Sequence, residues 1–118
     1  MGGTSVVIHK LNCEQDPGGV DAIAVANNQL PDGCTRAPAG VEFDITDQNG
    51  VEFFTNVTTN ASGQLTITVA LSVTQMTLVE NPATNPLVQP PPAPGFVFTD
   101  IHCPCGHTDL VVVNILKP

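Results

Sequence analysis

A lysine at position 10 lies where a β-strand should present an apolar side chain. Residues 5–11, SVVIHKL, have the composition of a strand, and alternate side chains of a strand face opposite sides. Lys10 therefore shares a face with Val6 and Ile8, which are expected to point into a core. An unpaired ammonium in a core costs so much free energy that proteins pair it, neutralise it or let it react. A chain that folds in this way needs a buried partner for Lys10.

Two later strands place polar side chains on apolar faces by the same alternation. Glu80 ends the run QMTLVE and falls on the face of its Met and Leu. Asn114 lies in the run LVVVNIL, and both faces of that strand are apolar, so we expect it to be covered on both sides. Glu42 is a rival acid, but the alternation of residues 41–47 turns it outward. The sequence thus predicts one amine, one carboxyl and one carboxamide on three apolar strand faces.

Length and charge limit the classes of protein to consider. A chain of 118 residues fits one domain, 1–118, with a core large enough to fold alone. A formal net charge of −8, with only three Lys and Arg residues, argues against nucleic acid or an anionic membrane as a partner. No apolar run approaches the length of a transmembrane helix.

Short segments rich in Val and Thr predict an all-β fold, a seven-stranded β-sandwich of the immunoglobulin-like or prealbumin-like kind. A long excursion, residues 13–40, follows the first strand, and within it residues 20–28 fit either a short helix or an extra strand. Residues 81–95 are rich in proline and are expected to form an extended surface loop. The predicted strands are 5–12, 41–47, 51–57, 65–69, 75–80, 96–99 and 109–116.

Five segments, in this order, share a pattern with a known family. They are VIHKL at 7–11, AGVEFDITDQNG at 39–50, TNASGQL at 59–65, TLVENP at 77–82 with PGF at 94–96, and VVVNILK at 111–117. The pattern resembles the collagen-adhesin B-type (CnaB-like) domains of bacterial surface adhesins and pili, over about residues 5–12 and 39–117. The chain departs from the family in its long first excursion, its expanded loop after Glu80 and its four cysteines.

The resemblance implies an intramolecular isopeptide bond between Lys10 and Asn114. The amine of Lys10 would attack the side-chain amide of Asn114, Glu80 would be the catalytic residue that shuttles protons, and ammonia would leave. Burial lowers the pKa of a lysine and raises that of a glutamate, which gives a nucleophilic amine beside a protonated carboxyl. Holding the groups in contact makes the aminolysis effectively unimolecular. The reaction would be single-turnover and need no cofactor, so the protein would not be an enzyme in the usual sense.

The same resemblance implies a mechanical role outside the cell. The chain would be a structural module of an adhesin or pilus stalk at the bacterial cell surface. Its partners would be the neighbouring domains of a larger surface protein, with a host or matrix ligand as a further candidate.

Four cysteines in a small acidic domain suit an oxidising, extracellular setting. Cys13 and Cys34 are the leading pair, because a bond between them would staple the long excursion. One residue separates Cys103 from Cys105, so a bond between these two is expected to be strained, and pairing between the two groups stays open. A zinc site formed by Cys103 and Cys105 with either His107 or His102 is a minority alternative.

Two other functions compete with a structural module. A ligand-binding adhesin module would use the proline-rich loop and the long first loop for recognition. The other alternative is a Cys/His metal-binding domain, or a metal-dependent dioxygenase on a prealbumin-like sandwich. The case for such an enzyme is weaker, since the chain has no tyrosine and only three histidines to serve as ligands.

Overall fold

Two sheets of alternating apolar and polar residues face each other in this chain. Within residues 3–118, the part that the computed structural model describes, eight strands form two four-stranded sheets. The first sheet contains β1 (Gly3–Cys13), β2 (Cys34–Arg36), β5 (Gln64–Ala70) and β8 (His107–Ile115). The second has the order β4-β3-β6-β7, with β3 (Glu42–Thr46), β4 (Glu52–Thr58), β6 (Gln75–Glu80) and β7 (Phe96–Thr99).

Strand β1 is the centre of the first sheet. On one edge it pairs in parallel with β8, from Ser5 opposite His107 to Cys13 opposite Ile115. Its other edge is shared by β5, antiparallel to residues 3–9, and β2, antiparallel to residues 11–13. The first and last strands of the domain are therefore neighbours that run in the same direction.

The main core lies between the two sheets because each inner strand buries every second residue. β1 contributes Val6 and Ile8, β3 contributes Phe43 and Ile45, and the other strands add further aliphatic side chains to the same cluster. The prediction of a β-sandwich is confirmed by this arrangement.

A second, smaller core covers the outer face of the first sheet. Leu11 and Cys13 of β1 pack there with Val25, together with Val111 and Val113 of β8. The expected covering of the last strand on both faces is therefore seen in the structure.

The ambiguous run in the first excursion is a short helix, α1 (Ala22–Ala26). The Asp21 carboxylate caps its N-terminus by accepting hydrogen bonds from the N–H groups of Ile23 and Ala24. Val25 is the helix residue that reaches the second core.

Two details of the predicted fold are wrong. The strand count is eight rather than seven, because β2 in the long excursion pairs with the end of β1. The proline-rich segment is not wholly a surface loop: a 3-10 turn spans Pro82–Thr84, and Asn85 and Val88 are buried. Val88 also forms an isolated antiparallel bridge with Leu116, which explains why this part of the segment lies against the domain.

The single-domain prediction for residues 1–118 remains a prediction, and its first two residues lie outside the described range. Among residues 3–118, no helix has the length and apolar character needed to cross a membrane.

Candidate functional site

Lys10 is fully buried, on the inner face of β1, as its place in the strand alternation predicts. It lies between the part of β1 that pairs with β5 and the part that pairs with β2. Its N–H donates to the Gly63 carbonyl at 2.8 Å, and its carbonyl accepts from the Ala37 N–H at 2.9 Å. Its Nζ donates to the Leu11 carbonyl at 2.8 Å and to Asn12 Oδ1 at 3.1 Å. Burial lowers the pKa of Lys10 from 10.5 to about 8, against an opposing effect of the nearby Glu80 charge. About a tenth of the amine is therefore neutral at pH 7, and the neutral fraction grows as the pH rises toward 8.

Glu80 reaches the same space from the opposite sheet. It ends β6, pairs with Phe43 of β3, and is buried. Burial raises its pKa, while the charge of Lys10 and side-chain hydrogen bonds from Asn85 and Asn114 act in the opposite direction. Among the described residues, Glu80 Oε1 has no hydrogen-bond partner. A buried carboxyl with a raised pKa and a free oxygen is suited to hold and transfer a proton.

Asn114 is buried on β8, next to the strand that carries Lys10. Its register partner on β1 is Asn12, while Lys10 is opposite Val112. Lys10 and Asn114 are therefore diagonal neighbours on one face of the sheet. The backbones of such neighbours are roughly 7–8 Å apart, a distance that a long side chain can span. Within residues 3–118, Asn114 Oδ1 has no hydrogen-bond partner. The amide oxygen is thus buried beside a potential proton donor and is not engaged elsewhere.

The structure brings the three predicted residues into one buried polar cluster. Glu80 interacts with the charge of Lys10 and with the side-chain amide of Asn114. The hydrogen bonds of Lys10 Nζ go to Leu11 and Asn12, and not to Asn114. The rival acid Glu42 is only partly buried, and its carboxylate accepts a hydrogen bond from the Asn81 amide at the surface.

Sequence reasoning missed two members of this cluster, Asn12 and Asn85. Their side chains form a reciprocal amide pair, with Asn85 Nδ2 at 3.1 Å from Asn12 Oδ1 and Asn12 Nδ2 at 3.4 Å from Asn85 Oδ1. Asn85 Nδ2 also lies 3.5 Å from Glu80 Oε2. The pair links the lysine side of the cluster to the glutamate side. Asn12 shares the face of Lys10 by simple alternation and was open to prediction, whereas Asn85 lies in a loop that has no periodicity.

Both pairs of cysteines form disulfides. Cys13 is joined to Cys34, the leading pair of the sequence analysis, at matching positions of β1 and β2. Cys103 is joined to Cys105, so the expectation that these two are poorly placed for a bond is wrong. A turn closed by the Gly106 N–H and the Cys103 carbonyl brings their Cα atoms to 5.2 Å, within the range usual for disulfides.

The zinc alternative has little support in this arrangement. Because Cys103 and Cys105 are bonded to each other, neither offers a thiolate beside His107. Across residues 3–118, no group of three His, Cys, Asp or Glu side chains is placed to hold a metal ion.

Two solved structures share the arrangement of the sheets. The major pilin subunit BcpA of Bacillus cereus matches 97% of this chain with a TM-score of 0.60 and 14% identity. A variant of the shaft pilin SpaA from Lactobacillus rhamnosus GG matches 98% of it with a TM-score of 0.59 and 17% identity. The chain has a pilin-like fold. The β-sandwich expected from the sequence is thus shared with these two pilin subunits.

This chain is much shorter than the pilins it resembles. It covers 29% of the BcpA chain and 51% of the SpaA chain. No protein-family model and no curated protein matches the sequence. The likeness therefore describes the domain fold, and the cluster itself must carry any argument about chemistry.

Proposed function

We propose that this chain is a structural module of a bacterial surface protein, of the pilus-stalk kind, and that an isopeptide bond between Lys10 and Asn114 locks it. The pilin-like fold supports the class of protein. The observation that carries the proposal is the burial, at one place between the sheets, of an amine, a carboxyl and a carboxamide whose oxygen has no hydrogen-bond partner among the described residues. The role at the cell surface, and assembly with neighbouring domains, belong to this proposal.

The chemistry follows from the positions of the three groups. The neutral amine of Lys10 attacks the side-chain carbon of Asn114, and the new C–N bond replaces the C–NH2 bond. Protonated Glu80 gives its proton to the amide oxygen as the C–N bond forms, and its carboxylate then takes the excess proton from the attacking nitrogen. It passes that proton to the departing NH2 group, which leaves as ammonia, and takes back the hydroxyl proton as the carbonyl re-forms. Lys10 and Asn114 are consumed once and Glu80 ends protonated as it began, so the reaction has no turnover and uses no cofactor.

The position of the bond gives it a mechanical purpose. β1 and β8 are parallel neighbours, so a pull on the start of β1 and the end of β8 shears the two strands past each other. A link from residue 10 to residue 114 would carry that force directly between the strands. Residues 11–113, which hold nearly all of the sandwich, would then lie outside the path of the load.

The decisive measurement is the intact mass of the reduced, denatured protein. We expect a mass lower than that of the sequence by one ammonia, restored to the full value by Lys10→Ala or Asn114→Ala. Glu80→Gln should slow the loss during timed cell-free synthesis, while Glu42→Gln, the matched change at a surface glutamate, should not. A wild-type chain of full mass would disprove the bond.

Peptide mapping must accompany the mass, because Asn12 is also in contact with the lysine. A bond from Lys10 to Asn12 would release the same ammonia. The proposal requires a cross-linked peptide that joins residue 10 to residue 114, and it requires Asn12→Ala to retain the mass loss. Loss of the bond in Asn12→Ala but not in Asn114→Ala would assign the acceptor to Asn12 instead.

A ligand-binding module is the second candidate, and an open cavity of about 460 Å³ favours keeping it. The cavity lies beside β7 and β8 and is lined by Phe96 and Phe98, with Gly18 and Val20 of the long first loop. The proline-rich loop does not line it. Screening the protein and a Phe98→Asp variant against matrix proteins would separate this function from a purely structural one.

A further inference from the structure

The two disulfides of this protein differ sharply in their surroundings. Cys13 and Cys34 are buried, and their bond spans a sequence separation of 21. Cys105 is exposed and Cys103 is partly exposed, and their bond spans a separation of only 2 residues in the connection before β8. Exposed disulfides are open to attack by thiolates, whereas buried ones are protected.

We propose that Cys103–Cys105 is a thiol–disulfide exchange site for small thiols that carry a positive charge. In the first step, an external thiolate attacks Cys105 Sγ, the bond to Cys103 breaks, and Cys103 leaves as a thiolate. The product is a mixed disulfide on Cys105. A second external thiolate then attacks the sulfur of the external thiol, which frees Cys105 and releases the oxidised external disulfide, so that two electrons pass to the protein.

The direction of attack follows from the contacts of the two sulfur atoms. The N–H of Cys105 lies 3.2 Å from Cys103 Sγ and points at it, so it stabilises negative charge on Cys103. Cys105 Sγ instead lies 3.2 Å from the carbonyl oxygen of His107, which disfavours negative charge there. The better leaving group is therefore Cys103, and Cys105, the more exposed residue of the two, is the one under attack.

The charge of the preferred thiol follows from the cavity beside the bond. An open cavity of about 580 Å³ is bordered by both cysteines and by three carboxylates, those of Asp21, Asp100 and Asp109. Asp109 accepts hydrogen bonds from His9 and His107, and the pKa of this carboxyl is held below its usual value by these contacts, against the effect of burial. The carboxylates attract a cationic thiol and repel an anionic one, and salt screens the effect.

Exposure also makes this bond easier to reduce than its buried counterpart. Exposed disulfides have higher reduction potentials than buried structural ones, and they are the labile ones. Cys13 and Cys34 lie in the second core, so a reductant reaches their bond only after that core opens.

The first test titrates the native protein with increasing ratios of reduced to oxidised dithiothreitol, followed by alkylation. Because exposed disulfides have higher reduction potentials than buried ones, we expect Cys103 and Cys105 to be labelled at a ratio at least about tenfold lower than Cys13 and Cys34. Simultaneous labelling of all four cysteines, or earlier labelling of Cys13 and Cys34, would overturn the proposal. The double variant Cys103→Ser/Cys105→Ser is the matched control and should lack only the first transition.

The second test compares 2-aminoethanethiol with 2-mercaptoethanesulfonate, which have the same chain length and opposite charge. Rates are expressed per thiolate, and we expect the cationic thiol to react at least about threefold faster at low salt, with the difference shrinking at high salt. Equal rates at low salt would refute the charge preference. Asp100→Asn, which removes one of the carboxylates, should reduce the ratio.

The site of the adduct decides the direction of attack. Cleavage at Asp100 and Asp109 releases the peptide 101–109, IHCPCGHTD, and fragmentation between Cys103 and Pro104 separates the two cysteines. The proposal requires the external thiol on Cys105 and the alkyl label on Cys103. The reverse assignment would show that Cys105 is the leaving group.

Discussion

Replacing Lys10 by methionine gives a change in stability whose sign depends on whether the isopeptide bond exists. Methionine is uncharged and similar in length, so the substitution removes the amine without opening a large cavity. If Lys10 is a free amine, its burial is unfavourable, because its pKa falls from 10.5 to about 8. At about 1.4 kcal/mol per pKa unit, the buried ammonium costs about 3 kcal/mol at neutral pH.

Without the bond, Lys10→Met therefore relieves this cost and sacrifices the hydrogen bonds of Nζ to Leu11 and Asn12. Those bonds contribute about 1 kcal/mol each, so the net result is a modest stabilisation. With the bond, the variant loses a cross-link that closes a loop of roughly 100 residues, which contributes about 4–5 kcal/mol. The Cys13–Cys34 disulfide shortens that loop and changes the contribution by only about 0.2 kcal/mol.

Equilibrium unfolding in guanidinium chloride at pH 7, with the disulfides intact, measures the difference. We expect Lys10→Met to lower the free energy of unfolding by about 4–5 kcal/mol. Lys117→Met is the matched control at an exposed lysine, and its effect should stay within about 0.5 kcal/mol. An increase in the stability of Lys10→Met would show that the wild-type amine is free, and the intact mass of the same samples would confirm it.

Three further changes test the surroundings of the cross-link. In Asn114→Ala the lysine stays free, and its pKa in the folded protein, about 8, lies below the ordinary lysine value of 10.5. Between these pH values the unfolded state binds more protons, so urea unfolding should show the stability of this variant rising from pH 8 to pH 10.5, with no such rise in the wild type. Asn85→Ala removes a hydrogen bond to buried Glu80, so it should lower the free energy of unfolding in urea by about 1–3 kcal/mol and slow the loss of ammonia in timed synthesis. An unchanged rate of ammonia loss would limit Asn85 to a structural role. Gly63 and Gly50 both have positive φ, 68° and 75°, but only at Gly63 would an added Cβ atom lie 2.8 Å from a backbone oxygen, that of Ala37. Gly63→Ala should therefore lower the melting temperature more than Gly50→Ala, and equal shifts would contradict this reasoning.

The positions of Lys10, Glu80 and Asn114 could be predicted because strand alternation is a local property. Each residue lies in a run whose apolar neighbours are two positions away, so its face follows without knowledge of the partner strand. The side chain of Lys10 could not be placed beyond its face. Its hydrogen bond to Asn12, rather than to Asn114, depends on the rotamer that the packed core allows.

The errors fall in segments where no periodicity constrains the chain. Strand β2 has three residues and exists because the excursion returns to pair with the end of β1. Asn85 is buried by a turn at Pro82–Thr84 and by the bridge from Val88 to Leu116. The Cys103–Cys105 bond depends on a turn that local spacing alone did not reveal. The first two features are products of tertiary contacts, and the third is a product of a local turn.

The two proposals place covalent chemistry in separate parts of one domain. A bond between residues 10 and 114 would pass the load from β1 to β8, and everything between these residues would be relieved of it. Cys103 and Cys105 lie within the relieved segment, on a connection that contributes Ile101 to the main core just before the disulfide. Exchange at Cys105 would therefore alter the surface chemistry of the module without opening its mechanical link. In single-molecule pulling from the termini, reducing the exposed disulfide should leave the extension of a cross-linked domain unchanged, whereas Lys10→Met should let the chain between the two strands unravel.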